Sequence, residues 1–161
     1  MIEIQGNIWS YACDGNVIVI PTNGYVKKNG ELVMGAGLAK QAANKHRGLA
    51  MEWGYIVRQD GNHVHAIPYS NYNRDDTSEQ WPKKSYVLAS FPVKHNWWED
   101  ADIELIKRSC IELRSKFITK VGNIYLPRVG CGNGNLDWAD VKPVLEEFLP
   151  ENCFIVVDYR K

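Results

Sequence analysis

At 161 residues, with 45% of them hydrophobic, 24% charged and a formal net charge of zero, the chain is long enough to bury a full core. It lacks the cationic excess with which nucleic-acid binders neutralise phosphates. No apolar run reaches membrane-spanning length, no signal-peptide pattern is present, and Cys13, Cys110, Cys131 and Cys153 form no CxxC pair, which excludes a disulfide framework or zinc site.

In chain order, residues 1–5 (MIEIQ) alternate apolar and polar as a half-buried strand does, and Gly6-Asn7 ends the run. Asp14, before a glycine, reads as a turn. Residues 16–20 (NVIVI) are continuous and β-branched, the pattern of a strand covered on both faces. Pro21-Thr22-Asn23-Gly24 closes it. A glycine-rich stretch leads to a helix from about Leu38 to His46, stopped by Gly48. Residues 54–69 read as two strands around Asp60-Gly61, a hairpin signal. Residues 70–84 are polar and aperiodic, a long exposed loop, and 85–94 are a buried strand.

From Glu99 the period changes. Ile103, Ile106, Cys110, Leu113 and Phe117 recur at three and four residues, an amphipathic helix whose start is crowded by Glu99, Asp100 and Asp102. Residues 123–127 are a strand, 128–135 (RVGCGNGN) a second glycine-rich loop, and Asp137 can N-cap a helix from Trp138 to about Phe148 with Leu136 as its staple. Residues 153–159 close the pattern as a strand. Strands alternating with helices imply an α/β fold with a mixed, mostly parallel sheet. Cys13, Cys110 and Cys153 read as buried apolar groups, Trp97-Trp98 as core, and His46, His63, His65 and His95 carry no metal-ligand spacing.

Two glycine loops, one around Gly35-Ala36-Gly37 and one from Gly130 to Asn135, each follow a buried strand and precede a helix. In open α/β sheets that position is the ligand-binding edge. Glycines let backbone N–H groups approach a ligand, and helix N-termini add unsatisfied donors and positive potential. Two such cradles suit a diphosphate. Neither loop is a P-loop or a GxGxxG dinucleotide fingerprint. Cys131 reads as packing beneath the loop rather than as a nucleophile, because no His or Asp adjoins it in sequence.

The ordered motifs QGNI, VIVIPTNG, GAGLA, LPRVGCGNGNLDW and IVVDY resemble the macro domain family of ADP-ribose-binding α/β/α modules, over Gly6 to Tyr159. The PRVGCG and FPVK stretches look most like its branch of ADP-ribosyl hydrolases and ADP-ribose-1''-phosphate phosphatases. The resemblance implies a single three-layer α/β/α domain over 1–161, monomeric, cytoplasmic and free of cofactor or metal, with no free nucleic acid or membrane as partner. It implies adenine contacts from Asn7, where the family has Asp, and from Ile8. It also implies a distal-ribose contact from Asn23, which would be the catalytic positioning residue. Diphosphate contacts would come from Gly35, Ala36 and Gly37 and from Gly130, Cys131, Gly132, Asn133, Gly134 and Asn135, and packing on adenine from Tyr159. Two departures stand out. Ala36 occupies the place of a nucleophilic Lys, and Gly134 or Asn135 that of an Asp, so lysine chemistry is not expected from the first loop. Lys40 lies one helical turn further on. Hydrolysis at C1'' of the distal ribose and non-catalytic binding both remain open readings, with an unrelated nucleotide-binding α/β protein behind them.

Overall fold

The computed structural model describes residues 1–13, 15–70, 85–119 and 122–159. The turn expected at Asp14, and the loop expected over 70–84 from residue 71 onward, lie outside the described residues.

Strand β2 (Val17–Thr22) forms where β-branched residues run uninterrupted, and Val17 to Ile20 are buried. It sits inside a six-stranded sheet with β1 (Ile2–Gln5), β3 (Ala66–Ser70), β4 (Ser85–Pro92), β5 (Ile124–Leu126) and β6 (Phe154–Asp158), in the order β1-β6-β5-β2-β4-β3. All pairings are parallel except β3 with β4. The carboxyl ends of five strands therefore share one edge.

Alternation along β2 feeds two cores. Val17 and Val19 point to the side covered by α3 (Ile103–Phe117) and α4 (Trp138–Phe148), where Ile106, Leu113, Val141 and Leu145 are fully buried. Ile18 and Ile20 point to the other side, under α1 (Gly37–Lys45), α2 (Leu49–Asp60) and a short 3-10 turn at Ile8–Tyr11. The result is three layers, α/β/α, with a mixed and mostly parallel sheet. Among the described residues no helix is long and apolar enough to cross a membrane.

The expected hairpin at 54–69 is a correction. Residues 49–60 are helix α2, and only Ala66–Ser70 form a strand. Leu49, Trp53, Ile56 and Val57 fall on one helical face and pack on the second core. Gly61, at φ +90°, ends the helix through its N–H to the Val57 carbonyl at 2.8 Å. Asp-Gly is thus a helix stop here, the same dipeptide that closes hairpins elsewhere. The third helix starts later than expected, at Ile103, because the Asp102 carboxylate accepts from the Glu104 N–H at 2.9 Å and caps it. Asp137 holds the N-cap position of α4 without a side-chain capping bond. Trp97 and Trp98, expected in the core, are 53% and 59% exposed. Cys13 is exposed rather than buried, while Cys110 is buried as expected.

Gly54 marks the tightest approach of α2 to the chain. A Cβ there would stand 1.9 Å from the Gly30 carbonyl oxygen, in backbone that cannot swing away. Alanine normally gains ~1 kcal/mol over glycine inside a helix. Gly54→Ala should instead lose at least ~2 kcal/mol by overpacking, read as a lower urea midpoint.

His46 ends α1 in a buried aromatic cluster. Its Nδ1 lies 2.8 Å from the Ala42 carbonyl and its Nε2 2.6 Å from the Tyr86 hydroxyl. A carbonyl only accepts, so Nδ1 carries the proton and Nε2 accepts from Tyr86. Burial and Lys45 push the imidazole pKa down against the opposing Ala42 bond. The unfolded chain therefore takes up this proton first as pH falls. The stability that neutral His46 contributes is full above about pH 6.5 and declines below it. The wild-type urea midpoint should fall between pH 7.5 and 5.5, and His46→Leu should flatten that slope while lowering the plateau.

Candidate functional site

At the shared strand edge lies a cleft of about 690 Å³. Its floor is the end of β2 (Pro21, Thr22, Asn23) and the residues after β5 (Pro127, Arg128). One wall is the first glycine loop with the start of α1, Val33 to Ala39. The other is Gly130, Gly132, Asn133 and Gly134 of the second loop, with Val93, Lys94 and Trp97 after β4. Both expected glycine loops therefore face one cavity. The charged residues in its lining are Lys94 and Arg128, the latter's guanidinium paired with Glu3 and Asp158, and no Asp or Glu lines it among the described residues.

The expected site residues divide. Asn23, Gly35, Ala36, Gly37, Gly130, Gly132, Asn133 and Gly134 line the cleft. Asn7, Ile8, Cys131, Asn135 and Tyr159 do not. The Asn7 side-chain oxygen accepts from the Trp9 N–H at 3.0 Å and caps the 3-10 turn, and Ile8 is buried in the second core. Tyr159 is exposed and follows β6, which pairs with β1, so it sits near Asn7 at a neighbouring stretch of the same edge. Asn135 holds the left-handed conformation at φ +59°, and its amide donates to the Asp100 carboxylate at 2.7 Å. The Cys131 thiol donates to the Val129 carbonyl, and burial pushes its pKa up to about 11, so at neutral pH it is a poor nucleophile.

Asn23 lines the cleft with its amide already engaged. Nδ2 donates to the Val33 carbonyl at 2.9 Å and Oδ1 accepts from the Tyr25 N–H at 2.9 Å. It ties the end of β2 to the approach of the first glycine loop, and one N–H and one lone pair remain for a ligand.

Lys94 escapes sequence reasoning that looks only inside the glycine loops. It follows β4, the strand beside β2, and its amine reaches across to donate to the Asn133 carbonyl at 2.8 Å. The cleft thus holds an amine on the side of the second loop, where the Asn133 and Trp97 carbonyls accept from it, while the first loop carries Ala36. The available signal is a Lys just after a buried strand that ends at the ligand edge. The segment carrying it is fastened to the second loop by Ala101 N–H to the Gly134 carbonyl at 2.9 Å and by the Asn135–Asp100 bond. Trp97 and Trp98 meet edge to face at the rim, and Tyr25 abuts Trp98 in the same way. Next to Lys94, His95 points to Asp102 at 2.9 Å, which holds the Asp102 carboxyl below the usual carboxylate range. Among the described residues no cluster of three or more His, Cys, Asp or Glu is placed to hold a metal.

Neither a protein-family model nor a curated protein matches the chain. Solved structures do. The macrodomain of Mycobacterium tuberculosis DarG is 18% identical over 99% of this chain and 97% of that one, with a TM-score of 0.69. The macrodomain of Thermus aquaticus DarG is 22% identical over 99% and 97%, with a TM-score of 0.70. Thermosipho africanus DarTG, solved in complex with ADP-ribose, is 18% identical over 98% of this chain and 41% of that one, with a TM-score of 0.73. An α/β/α layering with a mostly parallel sheet and a glycine-walled cleft at its carboxyl edge defines a fold class. Within that class, this chain has the macrodomain fold.

The loop glycines differ in what they serve. A Cβ on Gly134 would lie 2.4 Å from the Gly130 carbonyl oxygen and 2.7 Å from the Ala101 side chain, whereas one on Gly132 or Gly35 would meet nothing within 4 Å. Gly134→Ala should lower stability by about 1–3 kcal/mol. Gly132→Ala should leave it within ~0.5 kcal/mol, since it touches nothing in the folded chain. Thermal unfolding of the two variants checks the contrast.

Proposed function

We propose that the cleft binds ADP-ribose or a close derivative and hydrolyses the bond between C1'' of its distal ribose and the attached group. The observation that carries the binding reading is the room left at Gly35 and Gly132. Both line the cleft, and the fold itself would admit a side chain at either. That space leaves backbone N–H groups of the two walls free to approach a diphosphate. The Lys94 charge in the lining favours the same anion, the Arg128 guanidinium being paired with Glu3 and Asp158. The adenosine would extend toward the neighbouring edge, where Asn7 retains its amide N–H donors and Tyr159 offers an exposed ring. The complex with ADP-ribose known for Thermosipho africanus DarTG, of the same fold, supports this choice of ligand.

For the chemistry, Lys94 takes the part of nucleophile. The Lys94 amine, having given one proton to water, would bond to C1'' as the bond to the attached group breaks, and that group would leave with a second proton from the amine. Water would then cleave the C1''–nitrogen bond, releasing ADP-ribose and restoring the amine. The Asn133 carbonyl orients the amine, and Asn23 supports the wall that holds the ribose. A second reading, a non-catalytic reader, is favoured by one observation: among the described residues no carboxylate lines the cleft to act as general acid or base.

Calorimetry should give a micromolar ADP-ribose dissociation constant, about −8 kcal/mol, with AMP at least about tenfold weaker. Equal affinities for the two would remove the two-loop model. Lys94→Ala should weaken ADP-ribose by no more than about tenfold, through the charge lost from the lining, and abolish turnover of ADP-ribose-1''-phosphate or ADP-ribosylated macromolecules. If wild-type protein binds ADP-ribose and turns over none of these, the chain is a reader.

A further inference from the structure

The second glycine loop begins at Arg128 and gives way to α4 at Trp138, and both ends converge on one atom. Arg128 donates to Oε1 of Glu3 through Nη2 at 2.8 Å and Nε at 3.2 Å, and Trp138 donates to the same oxygen through Nε1 at 3.1 Å. Glu3 lies on β1, two strands away from β5 in the sheet. Its second oxygen is held by Lys142 of α4 at 3.1 Å, so the carboxylate itself is fixed. The Arg128 guanidinium also reaches Asp158 at 3.2 Å and lies over the Trp138 ring, 5.2 Å from its centroid.

We propose that Glu3 is a positioning residue for the cleft: by gathering donors from both ends of the second glycine loop, it sets the span across which Gly130 to Gly134 present their backbone to a ligand. The inference rests on the ADP-ribose reading for its ligand, though not for its geometry.

Energetics separate this role from plain stabilisation. Both side chains of the Glu3–Arg128 pair are partly exposed, and such pairs contribute little to stability. Their geometric effect is larger. Between Arg128 and Trp138 the loop closes on itself through Leu136 N–H to Gly130 at 3.0 Å and Asn135 N–H to Gly132 at 3.1 Å. Its far side is tied to the segment after β4 by the Ala101–Gly134, Asn135–Asp100 and Lys94–Asn133 bonds, so the fastening of its two ends sets the near side of the span. Burial acts to raise the Glu3 pKa, but the Arg128 and Lys142 bonds hold it below the usual carboxylate range, so the fastening is charged at neutral pH.

The test compares Glu3→Ala, Glu3→Gln and Trp138→Phe in the full chain, each checked for wild-type circular dichroism. Glu3→Gln keeps an acceptor oxygen for Arg128 and Trp138, loses the Lys142 bond that the amide nitrogen cannot accept, and should bind ADP-ribose within about threefold of wild type. Glu3→Ala should weaken ADP-ribose about tenfold or more and leave AMP within about twofold, because a shifted wall costs mainly the contacts beyond the first phosphate. Trp138→Phe, which removes one of the gathered donors, should fall between them. Amide hydrogen exchange provides a readout without ligand: Glu3→Ala should exchange about tenfold faster across 130–134 alone, with Glu3→Gln near wild type. Unchanged affinity and exchange in Glu3→Ala would overturn the proposal. So would equal losses for ADP-ribose and AMP with faster exchange throughout the sheet, which would make Glu3 a general structural residue. Should wild-type protein not bind ADP-ribose, the functional reading fails, and the exchange pattern still decides for or against Glu3.

Discussion

The burial of β2 on both faces governs the rest of the molecule. Ile18, Val19 and Ile20 are fully excluded from water, and their alternation requires a layer of helices on each side of the sheet. Parallel neighbours on both sides follow from that double cover, since a parallel strand must return through a crossover. Parallel strands also finish at the same edge. Among the described residues four connections, after β1, β2, β4 and β5, crowd there with backbone N–H groups that no strand pairs. The cleft follows from the sheet: a fold that buries β2 this way must leave its spare hydrogen-bonding capacity at the carboxyl edge.

Glycine is then spent in two ways at that edge. Gly130 and Gly134 are required by the protein itself, since side chains there would collide with Ala101, Ile106 or the loop backbone. Gly35 and Gly132 are not so required. The first kind makes the wall compact enough to close on itself. The second kind keeps the wall bare. Together they give a surface of backbone polarity with little side-chain bulk, suited to a flat, negatively charged ligand and indifferent to the cation count of the whole chain.

The strands were legible because continuous β-branched runs have few other interpretations, and the α3 and α4 periods were long enough to average out local noise. The misreading of α2 has a local cause. Its apolar face is spaced over residues 49–57, yet Asp60-Gly61 carries a stronger hairpin signal than Gly48 and Glu52 carry for a helix start. Only packing against Gly30 and Leu32, distant in sequence, decides between them. The site was half legible for the same reason. Glycine loops announce themselves by composition, so both walls were found. Lys94, Trp97 and Arg128 are single side chains whose value comes from which strands lie side by side, and strand order is not written in any local pattern. Trp97 and Trp98 were read as core because large aromatics normally are, while here the helix they precede begins only at Ile103 and leaves them on the rim.

Strand β6 lies between β1 and β5, and this places the last-made strand of the sheet between the first-made one and the strand that leads into the second glycine loop. During synthesis the carboxylate of Glu3 emerges early and its partners Arg128 and Trp138 much later. Even then they cannot meet at their final spacing, because the ribbon that separates them has not been laid down. Only when residues 154–158 slot in does the sheet acquire its full width and the carboxylate its place opposite the loop. A chain lacking residues 154–158 would therefore have no fixed place for Glu3 opposite the second glycine loop.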